Sequence, residues 1–339
     1  MIVDAHAHII VPEITGDVAA EPWRPRVFWR DGKQIIEFGG RQIHSAVWEI
    51  NRLDGILDHM ETREVNRVLL SPWIPLVRYD VPLEEGLRSS RIQNAALAKV
   101  VRRLPDRVAA LGSVPLQAPD VAARELEMLM REGSLAGVVV TASIAGTYLG
   151  DDRFRPFWDA AEASGALVFI HPTTQGFSLP VFQEYYLWNT VGNPLETTVA
   201  AAQMTMAGVM ESHPRLRVLL AHGGGALLAL RGRLRHAHTF QPQAGARLKE
   251  SPEDSLRRFY FDTVTHDQAL LHALIDFAGA DHVLLGSDYP FDMGLERPVD
   301  AVRVLRLPAA EEAQILGGNA ARLLRLPAGS PAAAPRDGL

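Results

Sequence analysis

Short apolar runs alternate along this chain with longer segments whose apolar residues recur at helical spacing. Helices are predicted over residues 52–64, 90–104, 120–133 and 155–165. The short runs are rich in Val, Ile and Leu, each ends in polar, Gly or Pro residues, and they cover residues 2–9, 67–72, 108–115, 136–143, 166–172, 217–224, 259–265 and 282–290. This alternation is typical of βα units and predicts a parallel sheet.

Eight such strands with helices between them predict an α/β fold, a (β/α)8 TIM barrel, since a doubly wound sheet more often has fewer strands. We expect one barrel domain over residues 1–325. Residues 10–51 interrupt the repeat after the first strand with Pro, Gly and three Trp, which predicts an active-site insert, either a substrate lid or a small β excursion. Residues 326–339 are rich in Pro, Ala and Gly and predict a flexible tail.

Ionisable side chains interrupt the first predicted strand, "VDAHAHII". Alternate residues of a strand share a face, so Asp4, His6 and His8 are expected to point the same way, into the barrel. A His-x-His pair alone is weak support for a metal site, because a buried histidine is more often a hydrogen-bonded core residue. Asp4 lies deeper in the strand and is expected to support the site without binding the metal.

Three further strands end in ionisable residues. His171 ends the fifth strand in "FIHP", His222 ends the sixth in "LLAHGGG", and Asp288 ends the eighth in "LLGSDYPF". The carboxyl ends of TIM-barrel strands carry the catalytic groups, whereas core histidines have no reason to lie at that edge each time. Together with the first strand, these residues predict a metal site.

The ligand types indicate which metal is expected. Three imidazoles and a carboxylate from His6, His8, His171 and Asp288 suit Zn²⁺ best, with Mn, Co or Fe as alternatives, and leave a position open for water. The chain has no cysteine, which excludes thiolate ligands, thiolate nucleophiles and disulfides. His222 is either a further ligand or the acid/base beside the metal, and the glycines after it favour the acid/base role because they let a substrate approach.

Composition narrows the partners. The chain of 339 residues is 47% hydrophobic and 22% charged, with a formal net charge of −6. This balance gives no basic surface for nucleic acid or for an anionic membrane, and it favours a small-molecule substrate. No apolar stretch approaches the ~20 residues of a membrane span, and no signal-peptide pattern opens the sequence, so we expect a cytoplasmic protein.

The motifs "DAHAH", "AHGGG" and "GSDYPF", with "HP" after the fifth strand, resemble the amidohydrolase superfamily. The resemblance is to the branch that contains α-amino-β-carboxymuconate-ε-semialdehyde decarboxylase, and it extends to "VGNPLETTVAA" and "GGNAARLL". It implies a (β/α)8 barrel with one divalent metal and with His222 as the acid/base; the metal ligands implied are His6, His8, His171 and Asp288. The fourth strand, "VVVTAS", lacks the lysine that bridges two metals in binuclear relatives.

The resemblance also implies residues that bind an anionic substrate. Decarboxylases of this branch hold the carboxylate with arginines, one of them supplied across a homodimer interface, and Arg233 occupies the matching position. For the second arginine, a gap-free count in the insert reaches His44, whereas Arg41 requires a short gap. Asn189 replaces the family's tryptophan, and Trp188 lies beside it.

Phe291, after the metal aspartate, is a further candidate for the substrate pocket, with simple packing as its alternative. The resemblance implies nonoxidative decarboxylation of an aromatic or muconate-type carboxylic acid in catabolism. The alternatives are a metal-dependent hydrolase of a C–C, amide or lactone bond, in which Asp288 or His222 shuttles the proton, and a hydratase. A purely structural metal site would be closed, and the glycines after His222 argue against it.

Overall fold

The computed structural model describes residues 1–15, 23–31, 33–38, 41–45 and 48–326. Within these residues, eight parallel strands form the centre of the fold: β1 Val3–Ile9, β2 Arg67–Pro72, β3 Val108–Ala110, β4 Gly137–Thr141, β5 Leu167–His171, β6 Arg217–Leu220, β7 Tyr260–Asp262 and β8 Val283–Leu284. The α-helices are α1 Leu53–Thr62, α2 Leu83–Arg103, α3 Pro119–Glu132, α4 Arg155–Ser164, α5 Asn193–Met206, α6 Val209–Ser212, α7 Leu227–Phe240, α8 Pro252–Leu256, α9 Gln268–Ala278, α10 Pro298–Arg303, α11 Ala309–Ala313 and α12 Asn319–Leu323.

The strands close into a ring. β1, β2 and β3 pair in that order, and β4 to β8 pair in a second continuous series. A bridge between Gly112 and Val138 joins β3 to β4, and a bridge between Ala7 and Tyr289 joins the chain after β8 to β1. The predicted TIM-barrel fold is confirmed.

The sixth, seventh and eighth strands are shorter than predicted. β6 ends at Leu220, β7 at Asp262 and β8 at Leu284, before the polar and glycine residues that the prediction had included. At these places the chain leaves the ladder and enters the loops at the carboxyl end of the barrel. His222 and Asp288 therefore lie in the loops after β6 and β8, whereas His6, His8 and His171 lie within β1 and β5.

The apolar residues of the strands divide into an inner and an outer layer. In β5, Leu167 and Phe169 belong to the cluster inside the ring, whereas Val168 and Ile170 belong to the cluster that packs against the helices. This alternation places His171, which follows Phe169 by two residues, on the inner face.

β1 departs from simple alternation. Its pairing with β2 shifts register between Asp4 and Ala7. Val3 and Ala5 belong to the inner cluster, but Ala7 belongs to the outer one. The expectation that Asp4 shares a face with His6 and His8 is therefore wrong, because the irregularity turns the histidines inward only after Asp4.

The insert forms an antiparallel sheet of three strands within its described residues, over Arg26–Arg30, Lys33–Phe38 and Arg41–Ser45. Ile35 and Ile36 of the middle strand are fully buried. A lid role for this sheet stays a prediction, as does the single domain over residues 1–325. Residues 327–339 of the predicted tail lie outside the described part of the chain.

No helix among the described residues combines the length and the apolarity that crossing a membrane requires.

Candidate metal centre

β1, β5 and the loop after β8 bring four candidate ligands together inside the carboxyl end of the barrel. One ligand atom from each of His6, His8, His171 and Asp288 lies within 4.8 Å of all the others, and all four residues are buried. Asp288 Oδ1 lies 3.1 Å from His6 Nε2 and 3.3 Å from His8 Nε2. All four residues were predicted from the sequence, and their nitrogen and oxygen donors suit a single divalent metal ion.

The outer nitrogens of the three rings are each held by a neighbour. His6 Nδ1 lies 2.6 Å from Asp262 Oδ2, and His171 Nδ1 lies 3.1 Å from the carbonyl oxygen of Pro172. His8 Nδ1 lies 3.0 Å from Ser71 Oγ. Partners on Nδ1 fix the ring orientations and leave each Nε2 for the metal.

One buried atom tests whether a metal fits. The Nε2 atom of His171 has no hydrogen-bond partner among the described residues. A buried polar atom without a partner is costly, and a metal ion among these side chains would satisfy it. The residues present therefore fit a divalent metal.

The electrostatics agree with this fit. Burial lowers the pKa of His8. Burial also holds the pKa of His171 well below its usual value, and the neighbouring rings of His8 and His222 lower it further. Both candidate ligands are therefore neutral, as binding to a metal requires. Burial opposes ionisation of Asp288, but His6 and hydrogen bonds hold its pKa well below the usual range. Burial also lowers the pKa of His6, but Asp288 and Asp262 outweigh it and raise that pKa to about 10 while no metal competes for the ring.

Asp262 is the supporting residue that the sequence analysis missed. It is fully buried at the end of β7, and besides His6 it accepts the backbone N–H of His222 at 2.9 Å and of Gly223 at 2.8 Å. The sequence did contain a signal for this residue, because Asp262, like Asp288, is a carboxylate that follows an apolar run. Asp267, nearby in sequence, instead caps α9 by accepting the N–H of Leu270 at 2.7 Å.

Asp4 supports the centre from the other face of β1. Its carboxylate accepts the backbone N–H groups of His6 and Ser287, each at 3.0 Å, and also the hydroxyl of Ser287. Ser287 immediately precedes Asp288. Asp4 therefore links the strand that carries two histidines to the loop that carries the carboxylate.

His222 lies beside the four ligands. Its Nε2 is 3.4 Å from Asp288 Oδ2, and its side chain is 15% exposed, more than any of the four. With Asp288, Asn189 and His266 it lines a cavity of about 350 Å³. The ring is thus positioned to contact a molecule in this cavity.

The remaining predicted residues have different surroundings. The Phe291 ring centroid lies 5.3 Å from that of His8, whereas Trp188 packs against Tyr186 at 5.0 Å and does not line the cavity. Arg233 is exposed on α7 and makes no hydrogen bond or ion pair with any described residue. The side chains of Arg41 and His44 lie outside the part of the chain that the structure describes.

Comparison with solved structures supports the fold over nearly the whole chain. The crystal structure of 5-carboxyvanillate decarboxylase from Sphingomonas paucimobilis is 26% identical, with a TM-score of 0.80 over 96% of this chain and 98% of the other. A dihydroxybenzoic acid decarboxylase from Polaromonas sp. JS666, solved with manganese and the inhibitor 2-nitroresorcinol, is 22% identical, with a TM-score of 0.77 over 96% of this chain and 97% of the other.

Sequence comparison assigns the family. The 2-amino-3-carboxymuconate-6-semialdehyde decarboxylase of Dictyostelium discoideum is 30% identical over 84% of this chain and 79% of its own length. The amidohydrolase family profile matches residues 3–326. The chain belongs to the amidohydrolase family.

Proposed function

We propose that this protein is a metal-dependent, nonoxidative decarboxylase of an aromatic or muconate-type carboxylic acid. The observation that carries the proposal is the buried group of three histidines and one carboxylate with His222 beside it. The relatives described above, which are similar over most of this chain, are all named as decarboxylases.

We propose His6, His8, His171 and Asp288 as the ligands of one divalent metal. Zn²⁺ suits this ligand set best, and Mn²⁺ is the main alternative because the Polaromonas structure contains manganese. When bound, the metal supplies Lewis-acid chemistry and orients oxygen atoms of the substrate.

His222 supplies the proton in this proposal. Its Nε2 donates a proton to the ring or chain carbon that bears the carboxylate. The bond from that carbon to the carboxylate then breaks, its electron pair restores the conjugated system, and CO₂ leaves. Asp288 Oδ2, 3.4 Å away, stabilises the protonated imidazole before the transfer, and Asp262 holds the His222 backbone in place.

Arg233 is proposed to hold the substrate carboxylate from the second subunit of a homodimer. The arginines on either side of it in α7 have partners, since Arg231 donates to the carbonyl of Leu228 and Arg235 lies 2.9 Å from Glu253. Arg233 is exposed, and a guanidinium can bind a carboxylate through two hydrogen bonds. In the dimer, Arg233 would bind the carboxylate of a substrate in the partner subunit's cavity, whereas no described residue of its own chain pairs with it.

Asn189 and Phe291 complete the proposed pocket, because Asn189 lines the cavity with His222 and the Phe291 ring lies 5.3 Å from that of His8. Arg41 or His44 of the insert and Trp188 stay candidates for substrate contact. We propose the cytoplasm as the compartment, in keeping with a chain that has no cysteine to form disulfides.

A substrate screen tests the function. The metal-loaded protein is incubated with hydroxybenzoates, hydroxypicolinates, muconate semialdehydes and ring-cleavage ketones, and CO₂ release is measured separately from substrate absorbance. We expect CO₂ from at least one acid with the parent protein, and release at least about a hundredfold slower with His222→Asn. Substrate loss without CO₂ would contradict the proposal and favour a hydrolase or a hydratase.

A further inference from the structure

A second cavity, of about 530 Å³, is lined by residues at the ends of β4 and β5. Thr141, which lines it, is the register partner of His171 in the neighbouring strand. Thr173, another lining residue, follows His171 by two positions. The wall of this cavity is therefore continuous in backbone with a proposed metal ligand.

A loop over Thr173–Ser178 forms one side of the cavity in an unusual backbone conformation. Thr174, Phe177 and Ser178 have φ values of 63°, 56° and 57°, in the left-handed region that non-glycine residues rarely occupy. Such a conformation persists only where surrounding contacts enforce it. A neighbouring side chain is therefore expected to restrain this loop.

Glu196, in the first turn of α5, is that side chain. It is 1% exposed, and its carboxylate accepts the backbone N–H of Thr173, the hydroxyl of Thr173 at 2.6 Å and the backbone N–H of Phe177 at 3.0 Å. Within the described part of the chain it has no ion-pair partner, and all of the hydrogen bonds that its side chain accepts come from this loop. A buried carboxylate is costly unless hydrogen bonds satisfy it, and here the loop provides them.

We infer that Glu196 is a positioning residue, which holds the Thr173–Ser178 loop as the wall of a substrate-binding cavity and thereby sets how tightly the substrate binds. The inference rests on the proposed function for the identity of the substrate. Glu196 itself lines the second cavity, but both of its carboxylate oxygens accept hydrogen bonds from the loop, and it does not line the first cavity. Its effect on the substrate is therefore expected to come through the position of the loop.

The test is Glu196→Gln, which preserves the size of the side chain. It replaces one accepting oxygen with an NH₂ group, which cannot accept a hydrogen bond from Thr173 or Phe177. We expect faster hydrogen exchange at the amides of Thr173 and Phe177, a KM about tenfold higher and a kcat within about twofold of the parent, with metal content unchanged. Glu211→Gln is the matched control, because Glu211 also accepts two loop amides, those of Lys249 at 3.2 Å and Glu250 at 3.1 Å, away from either cavity.

A second pair of variants keeps the test decisive if Glu196→Gln folds poorly. Thr173→Val removes the hydroxyl that donates a hydrogen bond to the Glu196 carboxylate, and it should raise KM. Thr173→Ser keeps a hydroxyl at this position, and its KM should stay close to that of the parent. Unchanged exchange at both amides, or faster exchange with an unchanged KM, would overturn the inference. The exchange and metal measurements need no substrate, so a parent protein that releases no CO₂ contradicts the proposed function without affecting them.

Discussion

Asp262 connects the metal centre to the proposed acid/base, because one carboxylate binds both His6 and the backbone of His222. Asp262→Asn should weaken metal affinity about 10–100-fold, since an amide orients the His6 ring less well and lacks the charge that makes it a stronger ligand. Metal titration against a competing chelator measures the change. Asp276→Asn, at an exposed position of α9, is the control and should bind metal like the parent. Equal affinity in both variants would refute the supporting role.

His222→Asn separates the two roles that the sequence left open. We expect the variant to retain about one metal ion per chain and to lose turnover by about 10²–10⁴-fold, the usual contribution of a positioned proton donor. Metal analysis of the purified variant and CO₂ release together make the measurement. Loss of the metal along with activity would identify His222 as a ligand instead.

Single residues differ in how well sequence predicted them. His171, His222 and Asp288 could be found because each is ionisable at the end of an apolar run, where a core offers no other reason for it. Asp262 has the same position, but "FDTVT" has no motif beside it to draw attention. Glu196 was harder to find from the sequence, because its partners Thr173 and Phe177 are about 20 residues away. They bind it through backbone N–H groups and one hydroxyl, which form no recognisable sequence pattern.

The loop between β6 and α7 depends on glycine at one position in particular. Gly225 has φ +66°, and a Cβ added there would lie 2.0 Å from the carbonyl oxygen of Pro194 at the start of α5. Gly225→Ala should therefore destabilise the fold by about 1–3 kcal/mol and displace His222, three residues earlier. Denaturant unfolding measures the first effect and CO₂ release the second.

Gly232→Ala is the control for this loop. Gly232 lies within α7, and a Cβ there meets nothing within 4 Å. Alanine should leave the protein as stable or add up to about 1 kcal/mol, because it favours a helix more than glycine does. Similar stability in the two variants would show that the close approach at Gly225 does not constrain the loop.

Among the elements, β1 shows where periodicity misleads. Its boundaries were predicted to within one residue, but strict alternation assigned Asp4 to the wrong face. The register shift depends on how β1 meets β2 and the chain after β8, and neither neighbour is visible in the local sequence.

The assembly of two chains is tested by mixing inactive variants. Arg233→Ala should bind metal normally but use substrate poorly. Co-expressed with His222→Asn, it should recover about a quarter of parent activity, because half of the randomly formed dimers contain one intact site. Light scattering should show a dimer. A monomer in solution, or no recovery in the mixture, would contradict a shared site.

Metal removal tests the whole molecule. Chelation should abolish CO₂ release and lower the free energy of unfolding, since a metal at 100 times its Kd stabilises a folded protein by about 2.7 kcal/mol. Zn²⁺ and Mn²⁺ are then added back separately, and activity and unfolding temperature are compared. Full activity in protein shown by elemental analysis to be free of metal would refute the mechanism.

The sequence alone determined the barrel, its eight strands and its four candidate ligands. Apolar strands that alternate with helices bury their side chains in a sheet covered by those helices. Ionisable residues at the carboxyl ends of such strands are typical of catalytic or metal-binding sites. The tertiary structure decided which face β1 presents, that Asp262 and Asp4 support the ligands, and that Glu196 restrains the loop after β5. These contacts join residues far apart in the chain, and their geometry exists only once the ring has closed.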